Sequence, residues 1–117
     1  MKIYLRKVFP HDVTHEVSVT TEIVREYFDS AKSMTFVGVK SGESANVTIN
    51  NATDPRFGGD YKSILLSEGG IEEDDMILTY KYSNKYEIKI IKKTDIQHFR
   101  LCLRGKNAML FLCWTMS

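Results

Sequence analysis

Alternation of apolar and polar positions dominates this chain and predicts strands along most of its length. Lys2–Phe9 (KIYLRKVF) sets Ile3 and Leu5 against Tyr4, Arg6 and Val8, the two-residue period of a strand. Pro10-His11-Asp12 interrupts it, because proline supplies no ladder donor. Val13–Thr20 (VTHEVSVT) then alternates again, with Val13, His15, Val17 and Val19 on one face. At Thr20-Thr21-Glu22 the pattern changes to a capped helix start. Ile23, Val24, Tyr27 and Phe28 follow at helical spacing on a short helix that ends near Asp29-Ser30.

Strand patterning resumes at Met34–Lys40 and Ala45–Ile49, an antiparallel pair about the turn Ser41–Ser44. Asn50–Lys62 (NNATDPRFGGDYK) is the longest polar, turn-rich stretch, and long loops inside compact domains are usually functional or disordered. Tyr61–Leu66 carries an apolar cluster compatible with a helical turn or a short strand, and Ser67–Asp75 is an acidic turn. Met76–Lys93 is the clearest hairpin. With Ser83-Asn84-Lys85 as its turn, Tyr80 opposes Ile88 and Leu78 opposes Ile90 on an apolar face. Lys81 then meets Glu87, and Asp75 meets Lys93, on a charged one. Gln97–Leu103 and Asn107–Thr115 make a last hairpin about Arg104-Gly105-Lys106. The expected sum is seven or so short antiparallel strands with one or two short helices, closed as a barrel or sandwich.

A chain of 117 residues, 43% hydrophobic and 26% charged, is expected to form one soluble domain. Its apolar runs are too short to span a membrane, and Met1–Lys7 leads straight into a strand rather than a signal peptide. A cytoplasmic location is the expectation, with Cys102 and Cys113 as buried free thiols. The net charge of +1 announces no nucleic-acid binder in bulk, but acids cluster in Glu68–Asp75 while Lys81–Lys106 is mostly basic. The chain stops almost inside its last strand, at Trp114–Ser117, which sets the expectation of a domain from a longer protein.

Candidate chemistry thins quickly. Asp75 with Glu87-Ile88-Lys89 has the residue types of a metal-dependent nuclease, but the hairpin register separates the two acids by roughly 20 Å, too far to share an ion. Glu72–Asp75 lacks the glycine and ligand spacing of a calcium loop. His11, His15 and His98 lack zinc spacing with the cysteines, and Gly58-Gly59 alone is no phosphate loop. No catalytic residue, metal ligand or cofactor is therefore assigned. Two polar loops remain, Arg6–Glu16 (RKVFPHDVTHE) and Asn50–Lys62, rich in the side chains that contact base edges and phosphates.

The order of elements carries a resemblance. VSVTTEIVREYF, then two strands, a long arm, DYKSILLSEGGI and the hairpin DDMILTYKYSNKYEIKIIKK together resemble the B3-like DNA-binding pseudobarrel. That domain occurs in plant transcription factors and as the specificity domain of EcoRII-type and LlaJI-type restriction systems. Val19–Phe28 and Gly69–Lys93 are the closest stretches, and the order matches over nearly the whole chain. Such domains commonly carry Gly-Asp where this chain has Asp74-Asp75, and aspartate tolerates turn conformations.

The resemblance implies a mostly β, antiparallel seven-stranded open pseudobarrel over residues 1–117. It also implies that two arms embrace the major groove, with catalysis left to a partner nuclease or motor domain or subunit. The expected partner is double-stranded DNA, read sequence-specifically within a restriction-modification system. The candidate DNA-binding residues are Arg6, Lys7, His11, Asp12, His15, Lys40, Asn50, Asn51, Thr53, Asp54, Arg56, Tyr61 and Lys62. Among them Arg56 suits guanine and Asn50 or Asn51 suits adenine, while Arg6, Lys7, Lys40 and Lys62 suit phosphates. The alternatives are a protein-interaction module using a strand edge or the Tyr-rich hairpin, and a small metal-dependent nuclease.

Overall fold

A computed structural model describes residues 2–50, 54–96 and 107–111. One curled half-barrel sheet organises them. Its strands are β1 (Lys2–Lys7), β2 (Ser33–Gly38), β3 (Ser44–Asn50), β4 (Arg56–Gly59), β5 (Met76–Tyr82) and β6 (Lys85–Ile91). They lie in the order β4-β3-β2-β6-β5-β1, and β7 (Asn107–Phe111) pairs with the outer edge of β1. Short helices α1 (Pro10–Thr14), α2 (Thr21–Glu26), α3 (Tyr61–Ser67) and α4 (Lys93–Ile96) complete the chain. Gln97–Leu103, the turn at Arg104–Lys106, and both cysteines lie outside the described residues, as does His98.

The sheet is mixed rather than antiparallel. β2 runs parallel to β6, with Phe36 opposite Tyr86, Val37 opposite Glu87 and Gly38 opposite Ile88. Parallel neighbours need a crossover longer than about a dozen residues, and residues 39–84 supply it. The expected strand at Val13–Thr20 does not form. Pro10 occupies the first helical turn, where its missing N–H is harmless, and the Asp12 carboxylate accepts the Phe9 backbone N–H at 2.8 Å. These start α1 in place of a strand. The alternation survives only as an isolated bridge between Ser18 and Arg56, with Val17 and Val19 buried beside it.

The central hairpin also differs from expectation by one residue. Ser83 sits at φ 59, which lets a two-residue turn pair Tyr82 with Lys85 and set Thr79 opposite Ile88. Ile77, Ile88 and Ile90 therefore enter the main core, and Thr79 is buried on the same face. Met76 and Ile91 join Ile3 and Leu5 in a smaller cluster, against which Leu78 and Tyr80 pack. The Thr79 carbonyl accepts the Tyr27 hydroxyl at 2.6 Å, so this face is anchored to the segment after α2.

Helix α2 starts as its sequence implies, with the Thr20 hydroxyl accepting the Ile23 N–H at 3.2 Å. Its Ile23 and Val24 and the following Tyr27 and Phe28 are buried. Phe28 meets Tyr4, Phe36, Phe57 and Tyr86 in an aromatic core, each contact contributing about 0.5–1.5 kcal/mol beyond area burial. Asp74 stands at φ 74, so aspartate itself adopts the left-handed turn conformation there. The next residue, Asp75, is buried and accepts Glu72 N–H, Lys93 N–H and the Lys92 ammonium at 2.8, 2.9 and 2.8 Å. Burial opposes its ionisation, but these donors outweigh that and hold its carboxyl below the usual range. Among the described residues no helix is long and apolar enough to cross a membrane.

Candidate nucleic-acid interface

The two polar segments meet. Residues 56–59 of the long loop form β4 against β3, and the strand then bonds sideways to the chain beyond α1. Val19 N–H donates to Pro55 O, and Phe57 N–H to Val17 O, each at 2.9 Å. Close packing here requires glycine. A Cβ on Gly59 would stand 2.6 Å from the Asn46 carbonyl oxygen, at a φ of +63, and one on Gly58 would stand 2.9 Å from Thr48 Oγ1. Gly58-Gly59 is thus part of a paired edge strand rather than a free bend. Phe57 and Tyr61 stack at 4.4 Å, rooting the segment in the core from both β4 and α3.

Three candidate DNA contacts are interior instead. Arg6 is 1% exposed. Its guanidinium meets Asp12 Oδ1 at 2.8 Å, Ser18 O at 3.0 Å and Ser18 Oγ at 3.1 Å, and also donates to Lys7 O. Asp12 spends its second oxygen on the Phe9 N–H, so the pair is a buried strut beneath α1 and neither member reaches a ligand. Tyr61 is a core residue whose hydroxyl burial pushes well above its ordinary pKa. Charged and hydroxylated side chains suggested a surface; saturation of their hydrogen bonds put them inside.

The exposed members cluster around a cleft of about 410 Å³ whose lining includes Phe9, His11, Asp54 and Arg56, with Arg6 and Asp12 beneath. The Arg56 guanidinium donates to Asp54 Oδ2 at 2.8 Å and to His11 Nε2 at 3.4 Å. Arginine has only donors, so His11 accepts through Nε2. The His11 ring stacks on His15 at 4.1 Å and 4°, and His15 Nδ1 lies 2.7 Å from Thr14 Oγ1. Asn50 pairs with Arg56 across β3 and β4. Lys62 reaches from α3 to the carbonyls of Asp12 and Val13. Desolvation lowers its pKa against the pull of Asp12, and its bonds tie α1 to α3.

Two lysines stand apart. Lys7 approaches Asp74 at 3.5 Å and remains part-exposed. Lys40 is at the opposite end of the β2–β3 hairpin from Asn50, roughly 20 Å away along β3. Its turn is held by Glu68, which accepts the Lys40 and Ser41 amides at 2.8 and 2.7 Å. Asn51 and Thr53 lie outside the described residues. Phe9 was missed by sequence reasoning because it closed a strand pattern; the residue is 37% exposed and lines the cleft. The nuclease candidates do not converge. Glu87 accepts the Tyr80 hydroxyl, Asp75 is saturated in the interior, and the observed register places them roughly 17 Å apart.

Comparison with solved structures adds one finding. The N-terminal domain of Helicobacter pylori LlaJI.R1 matches with a TM-score of 0.85 and 28% identity, covering 95% of this chain and 98% of that one. The chain has the fold of a LlaJI-type N-terminal domain. The match covers nearly the whole length of both chains. No family model matches the sequence, and no curated protein matches it.

Proposed function

We propose that this LlaJI-type domain binds double-stranded DNA sequence-specifically and serves as the target-recognition module of a restriction-modification system. Catalysis on this reading belongs to a partner nuclease or motor domain or subunit. The observation that carries it is the convergence of two polar segments from distant parts of the chain on one cleft, where Arg56 is held outward by Asp54 and His11. Similarity to the LlaJI.R1 N-terminal domain supports the restriction-system setting.

The reading set is Arg56, His11, His15, Asn50 and Asp54, together with Asn51 and Thr53. Lys7 and Lys40 contact phosphates, and Lys62 holds the arms together. A net charge of +1 makes for weak nonspecific binding and a shallow salt dependence. Selection from a randomised duplex pool, followed by fluorescence anisotropy, tests the proposal. One enriched sequence is expected at low salt, and Arg56→Ala relaxes specificity at one base pair by about 1–3 kcal/mol. No enrichment at any salt concentration would overturn it.

A further inference from the structure

We infer that Phe9 reads the 5-methyl group of a pyrimidine, thymine or 5-methylcytosine, beside the base pair contacted by Arg56. The inference rests on the DNA-binding reading above and assigns it a specificity determinant. Phe9 is the apolar member of a cleft lining whose other side chains are charged or polar. Partly exposed there, it offers an apolar contact surface that is stabilised when an apolar group covers it. In the major groove the pyrimidine methyl is the apolar feature on an otherwise polar base edge, and phenylalanine is among the side chains that contact it.

Its position is built rather than accidental. The Phe9 N–H is fixed on Asp12 Oδ2 at 2.8 Å, with the backbone extended at φ −102 and ψ 161. The Arg6 guanidinium and Lys7 ammonium stand 5.8 and 5.6 Å from the ring centroid, within cation–π reach. The buried Arg6–Asp12 strut therefore aims the ring as well as stabilising α1. A ring fixed before binding loses little freedom on contact, which favours a small apolar group as its target. Arg56 faces the same cleft with donors beyond the two that Asp54 and His11 occupy, enough for a fork onto guanine. The two side chains are thus set to read neighbouring base pairs.

The test begins with the duplex enriched from the randomised pool. Each thymine is replaced in turn by uracil, and each cytosine by 5-methylcytosine, and affinities are measured by anisotropy for the unaltered protein and for Phe9→Ala. At one position adjacent to the guanine lost by Arg56→Ala, uracil is expected to weaken binding about three- to fivefold, or 5-methylcytosine to strengthen it by as much. The first result names thymine as the source of the methyl group and the second 5-methylcytosine. Phe9→Ala should erase the effect while keeping its guanine preference. If no methyl change alters the affinity of the unaltered protein, the inference fails while sequence-specific binding stands; that scan needs no variant to fold. Methyl effects of equal size in Phe9→Ala would also overturn it. Absence of any enriched duplex removes the DNA-binding reading itself, an earlier and separate failure.

Discussion

Asp12→Ala is expected to damage this domain far more than an exposed DNA contact would. The substitution leaves the Arg6 guanidinium buried without its counter-charge and strips the Phe9 N–H of its acceptor at the start of α1. Breaking a buried ion pair from one side costs about 3–5 kcal/mol. Arg6 keeps neutral acceptors at Ser18 and Lys7, which argues for the lower end, about 3 kcal/mol including the lost cap. Against a total stability of about 5–15 kcal/mol that is a large fraction. With a urea m-value of about 1.5 kcal/mol/M, the unfolding midpoint should fall by about 2 M at unchanged m. Arg6→Met combined with Asp12→Leu removes both charges from the same volume and should recover more than half of the loss. A midpoint for Asp12→Ala within 0.3 M of the unaltered protein, or a double variant as unstable as the sum of the singles, would refute the buried-strut argument.

Two further predictions concern the scaffold. Asp75 has a carboxyl held below its ordinary 3.8, so its contribution is present above that value and is lost as pH falls through the depressed one. Asp75→Asn should be clearly less stable than the unaltered protein at pH 7 in urea titrations, with the gap narrowing below about pH 4; a pH-independent gap would contradict the assignment. Gly59→Ala adds left-handed strain and a Cβ set 2.6 Å from the Asn46 carbonyl oxygen, whereas Gly42→Ala, at φ +73, meets nothing within 4 Å. Both should destabilise the domain and lower its melting temperature, Gly42→Ala through about 1 kcal/mol of strain and Gly59→Ala through clearly more. Equal effects in calorimetry would mean that β4 does not approach β3 as closely as described.

Local signals carried the parts of the fold that could be foreseen. The Thr20 cap and the helical spacing of Ile23, Val24, Tyr27 and Phe28 depend on neighbours within one or two turns, and they placed α2. The turn-bounded runs placed β2 and β3 and the existence of the β5–β6 hairpin for the same reason. Its register was not visible, since both faces of β5 carry apolar residues and only the left-handed Ser83 chooses between a two- and a three-residue turn. α1 was masked by a false alternation in VTHEVSVT, although Pro10 and Asp12 at the first and third helical positions carried the helix signal. The parallel β2–β6 pairing joins residues about fifty apart and leaves no trace in a local pattern. Within the candidate site, Arg56, His11 and His15 were legible as polar loop residues. Arg6 and Asp12 were not legible as interior, because their burial depends on each other.

The parallel β2–β6 junction divides the sheet into two leaves, with only three register pairs between them. One leaf, β2 to β4, carries Asn50 and Arg56. The other, β6 to β1, leads directly into Phe9 and α1. The two jaws of the cleft therefore belong to different leaves, and its aperture is a lever arm on that short seam. The Val17–Phe57 and Val19–Pro55 bonds and the reach of Lys62 latch the jaws at their tips. Seam and latch together make the spacing of the two jaws a property of the whole sheet, so on the proposed DNA-binding function a substitution at Phe36 or Ile88 should change which sequence is preferred without touching DNA.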